Sequence, residues 1–260
     1  MTDRATEFER RSAALATVAR ERFAGLVVLG SASPHAAHRR DEWSDHDFFM
    51  LASPGDESRV RDVESWLPDP DRLVLVAREG DIGFAAVYDD GHVFEFAAST
   101  VDELSGALAT DDVGVVVDDG TVARLVEESQ QRVFATHEYG AVNDARLVLV
   151  KLLIATGRAR RGESLIAGQA VHGAAVTHFV RAVRARMPIE NSVRDGIDPV
   201  RRFERDYPAL GASLASVLGR PVEEAARGLF ELLRATLEPG WDEFPSRAAD
   251  AVATRLGWSA

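Results

Sequence analysis

Apolar residues follow two different periods along this chain, and the shorter period comes first. Short apolar runs separated by turn residues predict β-strands. A stripe at helical spacing, Phe8, Leu15, Val18 and Phe23, predicts an amphipathic helix over residues 5–23, ahead of the first strand. The predicted strands are residues 26–29, 48–51, 73–76, 83–88, 92–98 and 113–117.

Beyond Thr121 the strand signals end and helical periodicity continues to the C-terminus. We therefore predict an α+β protein, with a mixed-sheet domain at residues 1–121 and an all-α domain at residues 122–260. Proline and glycine residues separate the helices of the second domain. The predicted helices are residues 143–158, 164–186, 208–218, 222–237 and 245–256.

Composition excludes several classes of protein. The 260 residues carry a net charge of −12, which disfavours a nucleic-acid binder and would attract a cationic small molecule, although acidity also serves solubility. The chain has no cysteine, so it forms no disulfide and no thiolate zinc site. No apolar run is long enough to span a membrane, and the N-terminus lacks the apolar segment of a secretion signal. We expect a cytoplasmic protein.

Candidate chemistry is concentrated between the first two predicted strands. The first strand ends at Gly30-Ser31, where the missing Cβ and the nearby N–H and hydroxyl donors would admit a phosphate. The second strand begins at Asp45-His46-Asp47. Because side chains alternate along a strand, Asp45 and Asp47 share a face, roughly 6 to 7 Å apart, and His46 takes the other. Paired carboxylates at this spacing suit Mg²⁺, although Asp-x-Asp alone is weak evidence.

Glu95 is an acid within the apolar strand of the hairpin that turns at Asp89-Asp90-Gly91. A carboxylate buried there would cost several kcal/mol unless paired, so a metal or a bound hydroxyl would relieve it. The alternative is an edge strand on which Glu95 faces water. Lys151, the single lysine of the chain, lies in an otherwise apolar helix. It would either grip a phosphate or extend its ammonium to solvent at the helix edge.

The order of strand, Gly30-Ser31, spacer, Asp45 and Asp47 resembles the signature of the polymerase-β-like nucleotidyltransferase superfamily. The Asp-Glu-Trp-Ser stretch before the pair is most similar to the antibiotic-modifying branch. That resemblance implies a third carboxylate one hairpin later, at Glu95, as a metal ligand or general base, and a lysine of the helical domain, Lys151, against the nucleotide phosphates. The segment at residues 198–208 is similar to one in lincosamide and streptomycin nucleotidyltransferases.

The resemblance implies transfer of AMP from ATP, with two Mg²⁺ ions, to a hydroxyl of an aminoglycoside or lincosamide, with release of pyrophosphate. The acidic surface suits a cationic aminoglycoside, and the apolar hairpin around Glu95 suits a lincosamide. Two alternatives stay open: an enzyme that nucleotidylates a protein, and a regulatory module that binds a nucleotide without catalysis. Neither a nucleic acid nor a membrane is an expected partner, and the protein would be a monomer or homodimer.

Overall fold

The computed structural model describes residues 4–106, 112–131, 140–189 and 198–258. It confirms the predicted fold class: a mixed sheet with flanking helices, followed by a helical part. The chain divides into two compact units. The described parts are residues 4–106 and 112–131 in the first unit and residues 140–189 and 198–258 in the second. Within the described residues, no helix is both long enough and apolar enough to traverse a bilayer.

The first unit is built on six strands. They are preceded by helix α1 (Arg4–Arg22) and followed by helix α3 (Val122–Gln131), with the short helix α2 (Glu57–Arg61) between the second and third strands. The strands are β1 (Gly25–Leu29), β2 (His46–Ala52), β3 (Leu73–Glu79), β4 (Gly83–Tyr88), β5 (Val93–Thr100) and β6 (Val113–Asp118). Their spatial order is β3-β4-β5-β2-β1-β6, and β2 and β5 are parallel whereas the other neighbours are antiparallel.

Each face of the sheet packs against its own helices, as the two-residue period requires. Leu26, Val28 and Phe48 lie on the face that α1 and α2 cover. Val27 and Leu51 lie on the opposite face with Val122 and Val126 of α3. The predicted boundary between residues 121 and 122 falls at the start of α3, yet these buried valines place α3 in the core of the first unit.

The second unit is helical. The predicted helix over residues 164–186 contains a π-helical turn, Ala170–Ala175, between α5 and α6. One apolar cluster, which includes Leu152, Phe179 and Leu229, forms the core of this unit. The helices are α4 (Gly140–Arg160), α5 (Ser164–Gln169), α6 (Val176–Arg186), α7 (Phe203–Asp206), α8 (Pro208–Leu218), α9 (Val222–Leu237) and α10 (Ser246–Leu256).

Candidate active site

Three carboxylates converge where the parallel strands β2 and β5 begin. Asp47 is opposite Glu95 in the register of the two strands, and Asp45 precedes Asp47 by two residues on the same face. Each of the three side chains offers an oxygen, and these oxygens all lie within 4.8 Å of one another. Neighbouring carboxylates repel one another, and a divalent cation with oxygen ligands would compensate that repulsion. The geometry therefore suits a metal site.

Gly30 and Ser31 lie beside these carboxylates, at the end of β1. Leu29 is opposite Asp47 in the antiparallel register, and the backbone then enters a short 3-10 turn at Gly30, which has a φ of +51°. A Cβ at Gly30 would lie 3.3 Å from Oδ2 of Asp47. Glycine therefore serves both the left-handed backbone and the close approach of a carboxylate.

The hydrogen bonds at this turn differ from the sequence interpretation. The Gly30 N–H donates to the carbonyl of Asp112 at 3.1 Å, and the Ser31 hydroxyl donates to the carbonyl of Asp45 at 2.9 Å. The Gly30 N–H and the Ser31 hydroxyl are thus both engaged within the protein. The Ser31 bond instead ties the start of β2 to the end of β1. Phosphate binding at Gly30 and Ser31 stays a prediction.

Arg40 is a basic residue at this turn that the sequence did not single out. Its Nε donates to the carbonyl of Ser31 at 2.7 Å, its Nη1 pairs with Glu9, and its guanidinium lies 4.7 Å from the centre of the Phe8 ring. These contacts hold a positive charge beside the Gly30-Ser31 turn. Nearly all of the 30 arginine and lysine residues are arginine, so composition does not distinguish Arg40 from the other arginines.

Glu95 is on an inner strand, between β4 and β2, and its side chain is exposed. Both sequence interpretations were therefore wrong in part. The carboxylate is not buried, so burial gives no reason for a bound metal, and the strand is not at an edge. Glu95 faces water because its side of the sheet is open at this point, next to the half-buried Asp45 and Asp47. Proximity to the aspartates, and not burial, makes Glu95 a candidate ligand.

His46 occupies the opposite face of β2 and fixes the strand against α1. Its ring stacks on Phe8, with centroids 3.8 Å apart, and both ring nitrogens are hydrogen-bonded. The Ser12 hydroxyl donates to the carbonyl of Phe8, so it accepts from Nε2 of His46 at 2.8 Å. Nδ1 of His46 then accepts from Nε2 of His92 at 2.7 Å. This chain of bonds requires a neutral His46.

Burial, together with the smaller effects of the neighbouring His92, Arg40 and Arg11, lowers the pKa of His46 to about 2. The unfolded chain binds a proton at His46 below about pH 6.5, whereas the folded protein does not, so stability falls as the pH falls. We expect His46 to cost about 2 kcal/mol of unfolding free energy between pH 7 and pH 5.

Urea titrations at the two pH values measure this loss, with His46→Phe as the control. Phenylalanine keeps a ring against Phe8 and does not titrate, so its loss between pH 7 and pH 5 would be smaller by that amount. Equal losses in the two proteins would contradict the assignment of a neutral His46.

A cavity of about 530 Å³ adjoins one of the three carboxylates. Asp45 is in its wall, together with Phe8, His92 and the strongly exposed Trp43. No role was predicted for these last three residues. The one signal was that Trp43 belongs to the Asp-Glu-Trp-Ser stretch directly before the aspartate pair.

Lys151 lies on α4 in the second unit. Its side chain is half-buried beside the buried Leu152, and within the described residues no hydrogen bond or ion pair engages its ammonium. These surroundings fit both interpretations of this lysine, and its role against phosphates stays a prediction.

No family profile matches the sequence, and no curated protein matches it. Among solved structures, the chain is similar to an aminoglycoside 6-adenyltransferase from Bacillus subtilis, with a TM-score of 0.33 and 10% identity. The alignment covers 98% of this chain and 92% of that one.

Proposed function

We propose that this protein is a metal-dependent nucleotidyltransferase, which moves AMP from ATP to a hydroxyl of a small molecule and releases pyrophosphate. The observation that carries the proposal is the convergence of Asp45, Asp47 and Glu95, whose oxygens lie within 4.8 Å of one another. The order of Gly30-Ser31, the aspartate pair and the third acid along the chain supports the same chemistry.

The donor set fits Mg²⁺. All three side chains supply hard oxygen ligands, and three carboxylates leave coordination positions open for phosphate oxygens and water. We propose two ions, held by Asp45, Asp47 and Glu95. When bound, Mg²⁺ would neutralise the phosphates and lower the pKa of the acceptor hydroxyl.

The residues of the chain then act by position and charge. The acceptor oxygen forms a bond to the α-phosphorus. The bond from that phosphorus to the oxygen that bridges the α- and β-phosphates breaks, and pyrophosphate leaves with the electron pair. The proton of the acceptor hydroxyl goes to Glu95 or to water. Glu95 can accept it because its carboxylate is exposed and lies beside the aspartates. Arg40, which pairs with Glu9 in this structure, lies at the Gly30-Ser31 turn, where we propose that the phosphates bind.

The acceptor we propose is an aminoglycoside or a lincosamide, on the strength of the sequence resemblance. The net charge of −12 favours the polycationic aminoglycoside, because an acidic protein attracts a cation over a distance. The localisation we propose is the cytoplasm, where ATP is available.

Incubation with Mg²⁺, α-labelled ATP and a panel of aminoglycosides and lincosamides tests the proposal. We expect label on a small molecule, release of pyrophosphate and loss of both on addition of EDTA. Label on a protein added as acceptor would favour protein nucleotidylation. Binding of ATP without any transfer would favour the regulatory module, and neither binding nor transfer would refute the proposal.

Gly30→Ala should impair transfer more than it impairs folding. A left-handed backbone costs a residue with a Cβ about 1–2 kcal/mol. The new methyl carbon would also lie only 3.3 Å from Oδ2 of Asp47. We expect kcat/KM to fall by about tenfold, since small displacements of a reacting group are costly. Gly80→Ala is the matched control, because Gly80 has a φ of +70° with no atom within 4 Å of an added Cβ. Equal activity in the two variants would contradict the role of Gly30 beside Asp47.

A further inference from the structure

The cavity beside Asp45 adjoins the candidate metal site through that one carboxylate. Of the three carboxylates Asp45 alone is in its wall, and neither Gly30 nor Ser31 lines it. Its volume of about 530 Å³ is within the range of small-molecule sites. A molecule in this cavity would reach Asp45 without occupying the turn at Gly30-Ser31. The cavity therefore suits the substrate that is not the nucleotide.

The indole ring of Trp43 is exposed at this cavity. The Trp43 side chain is 81% exposed, whereas Trp66, Trp241 and Trp258 are all buried. The turn that carries Trp43 is held by Asp41, whose Oδ1 accepts from the Trp43 N–H at 2.9 Å, and by Ser44, whose hydroxyl accepts from the Asp41 N–H at 2.9 Å. A fixed turn thus presents a large ring to solvent at the cavity, with the rings of Phe8 and His92 also in the wall.

The arginines at the cavity are largely compensated, whereas two of its acids are not. Arg11 pairs with Asp90, and Arg40 pairs with Glu9. Within the described residues, neither the Glu42 nor the Asp45 side chain has a hydrogen bond or an ion pair.

Arg4 is the remaining basic residue of the wall, and it donates to the main-chain carbonyl of Glu42 at 2.8 Å. Among the described residues, these two carboxylates without an ion pair outnumber the one such arginine of the wall, so the cavity attracts cations. The two carboxylates would repel a nucleotide that arrives without metal.

We propose that this cavity binds the acceptor through an ammonium-bearing ring, which stacks on Trp43 while Glu42 attracts its charge. An indole face attracts cations, and an aromatic platform beside carboxylates selects an organic cation over a neutral sugar. The inference rests on the proposed function for the identity of the occupant as acceptor. The binding of a cation in this cavity can be measured without any reaction.

Fluorescence quenching by acrylamide tests the binding directly, because Trp43 is the accessible tryptophan among the four. Without ATP or metal, kanamycin should protect Trp43 from the quencher, and sucrose should not. Protection by metal-free ATP in place of kanamycin would make this a nucleotide site and overturn the inference. Protection by neither compound would overturn it as well.

Variants test the contacts of Trp43 and Glu42 separately. Trp43→Ala, at an exposed site, should fold normally and weaken kanamycin binding by roughly tenfold in calorimetry, with an equal rise in the KM of the acceptor and none in that of ATP. Glu42→Gln should weaken binding severalfold. Glu127→Gln is its matched control, an exposed acid on α3 outside the cavity, and should bind as the unmodified protein does.

The outcomes separate the two proposals. Kanamycin binding that depends on Trp43, without any nucleotide transfer, would refute the proposed function and support the cavity. Transfer that continues in Trp43→Ala with an unchanged acceptor KM would refute the cavity and support the function. Equal effects of Glu42→Gln and Glu127→Gln would show that overall charge, and not this cavity, attracts the cation.

Discussion

Asp47→Asn should lower nucleotide transfer at least a hundredfold and leave the fold intact. Asp47 is opposite both Leu29 of β1 and Glu95 of β5, so it is the carboxylate that the sheet places at the centre of the site. An asparagine occupies the same volume but lacks the negative charge and is a weaker ligand for Mg²⁺. Changes to the outer partners of a metal ligand already cost about 10–100-fold, so loss of a ligand should cost more.

The measurement is kcat/KM for transfer of label from ATP, with the unfolding midpoint as a check on the fold. Asp81→Asn is the matched control, since Asp81 is an exposed aspartate of the same unit, at the turn between β3 and β4. We expect full activity in Asp81→Asn. Transfer by Asp47→Asn at the rate of this control would show that the three carboxylates do not carry the reaction.

The shared face of Asp45 and Asp47 was accessible from the sequence because it follows from local periodicity, whereas Glu95 was proposed as the third acid from the family resemblance. Alternation along β2 puts Asp45 and Asp47 on one face whatever the rest of the sheet does. The hairpin signal at Asp89-Asp90-Gly91 likewise fixed where β5 begins. What the sequence did not contain was the pairing of β2 with β5, which lie more than forty residues apart and are parallel in a register that sets Asp47 opposite Glu95.

Features that depend on distant partners were not predicted. The local sequence shows no partner for the Gly30 N–H or the Ser31 hydroxyl, but the main-chain carbonyls of Asp112 and Asp45 accept from them. The sequence left the exposure of Glu95 open for a related reason, since an apolar strand indicates burial only where another element covers that face. Side chains that act from loops, such as Arg40 and Trp43, have no periodicity from which a position could be inferred.

Arg11 is buried on the face of α1 that packs against the sheet, and no local sequence pattern indicates this burial. Arg11 is 1% exposed, and its guanidinium binds both oxygens of Asp90, at 3.2 and 2.9 Å. It also lies 4.3 Å from the centre of the Tyr88 ring. Tyr88 ends β4 and Asp90 lies in the turn into β5, so this arginine joins α1 to the hairpin that carries Glu95.

Arg11→Ala should therefore destabilise the first unit strongly. Removal of one partner from a buried ion pair typically costs 3–5 kcal/mol, and we expect about 3 kcal/mol, since Arg72 also pairs with Asp90 and remains. Arg10→Ala is the matched control: it removes the same charge from the same helix and a pair with Asp69, but Arg10 is 45% exposed and should cost about 1 kcal/mol or less. Urea unfolding of both variants measures the difference. Equal losses would show that the buried contact of Arg11 with Asp90 adds nothing beyond a surface ion pair.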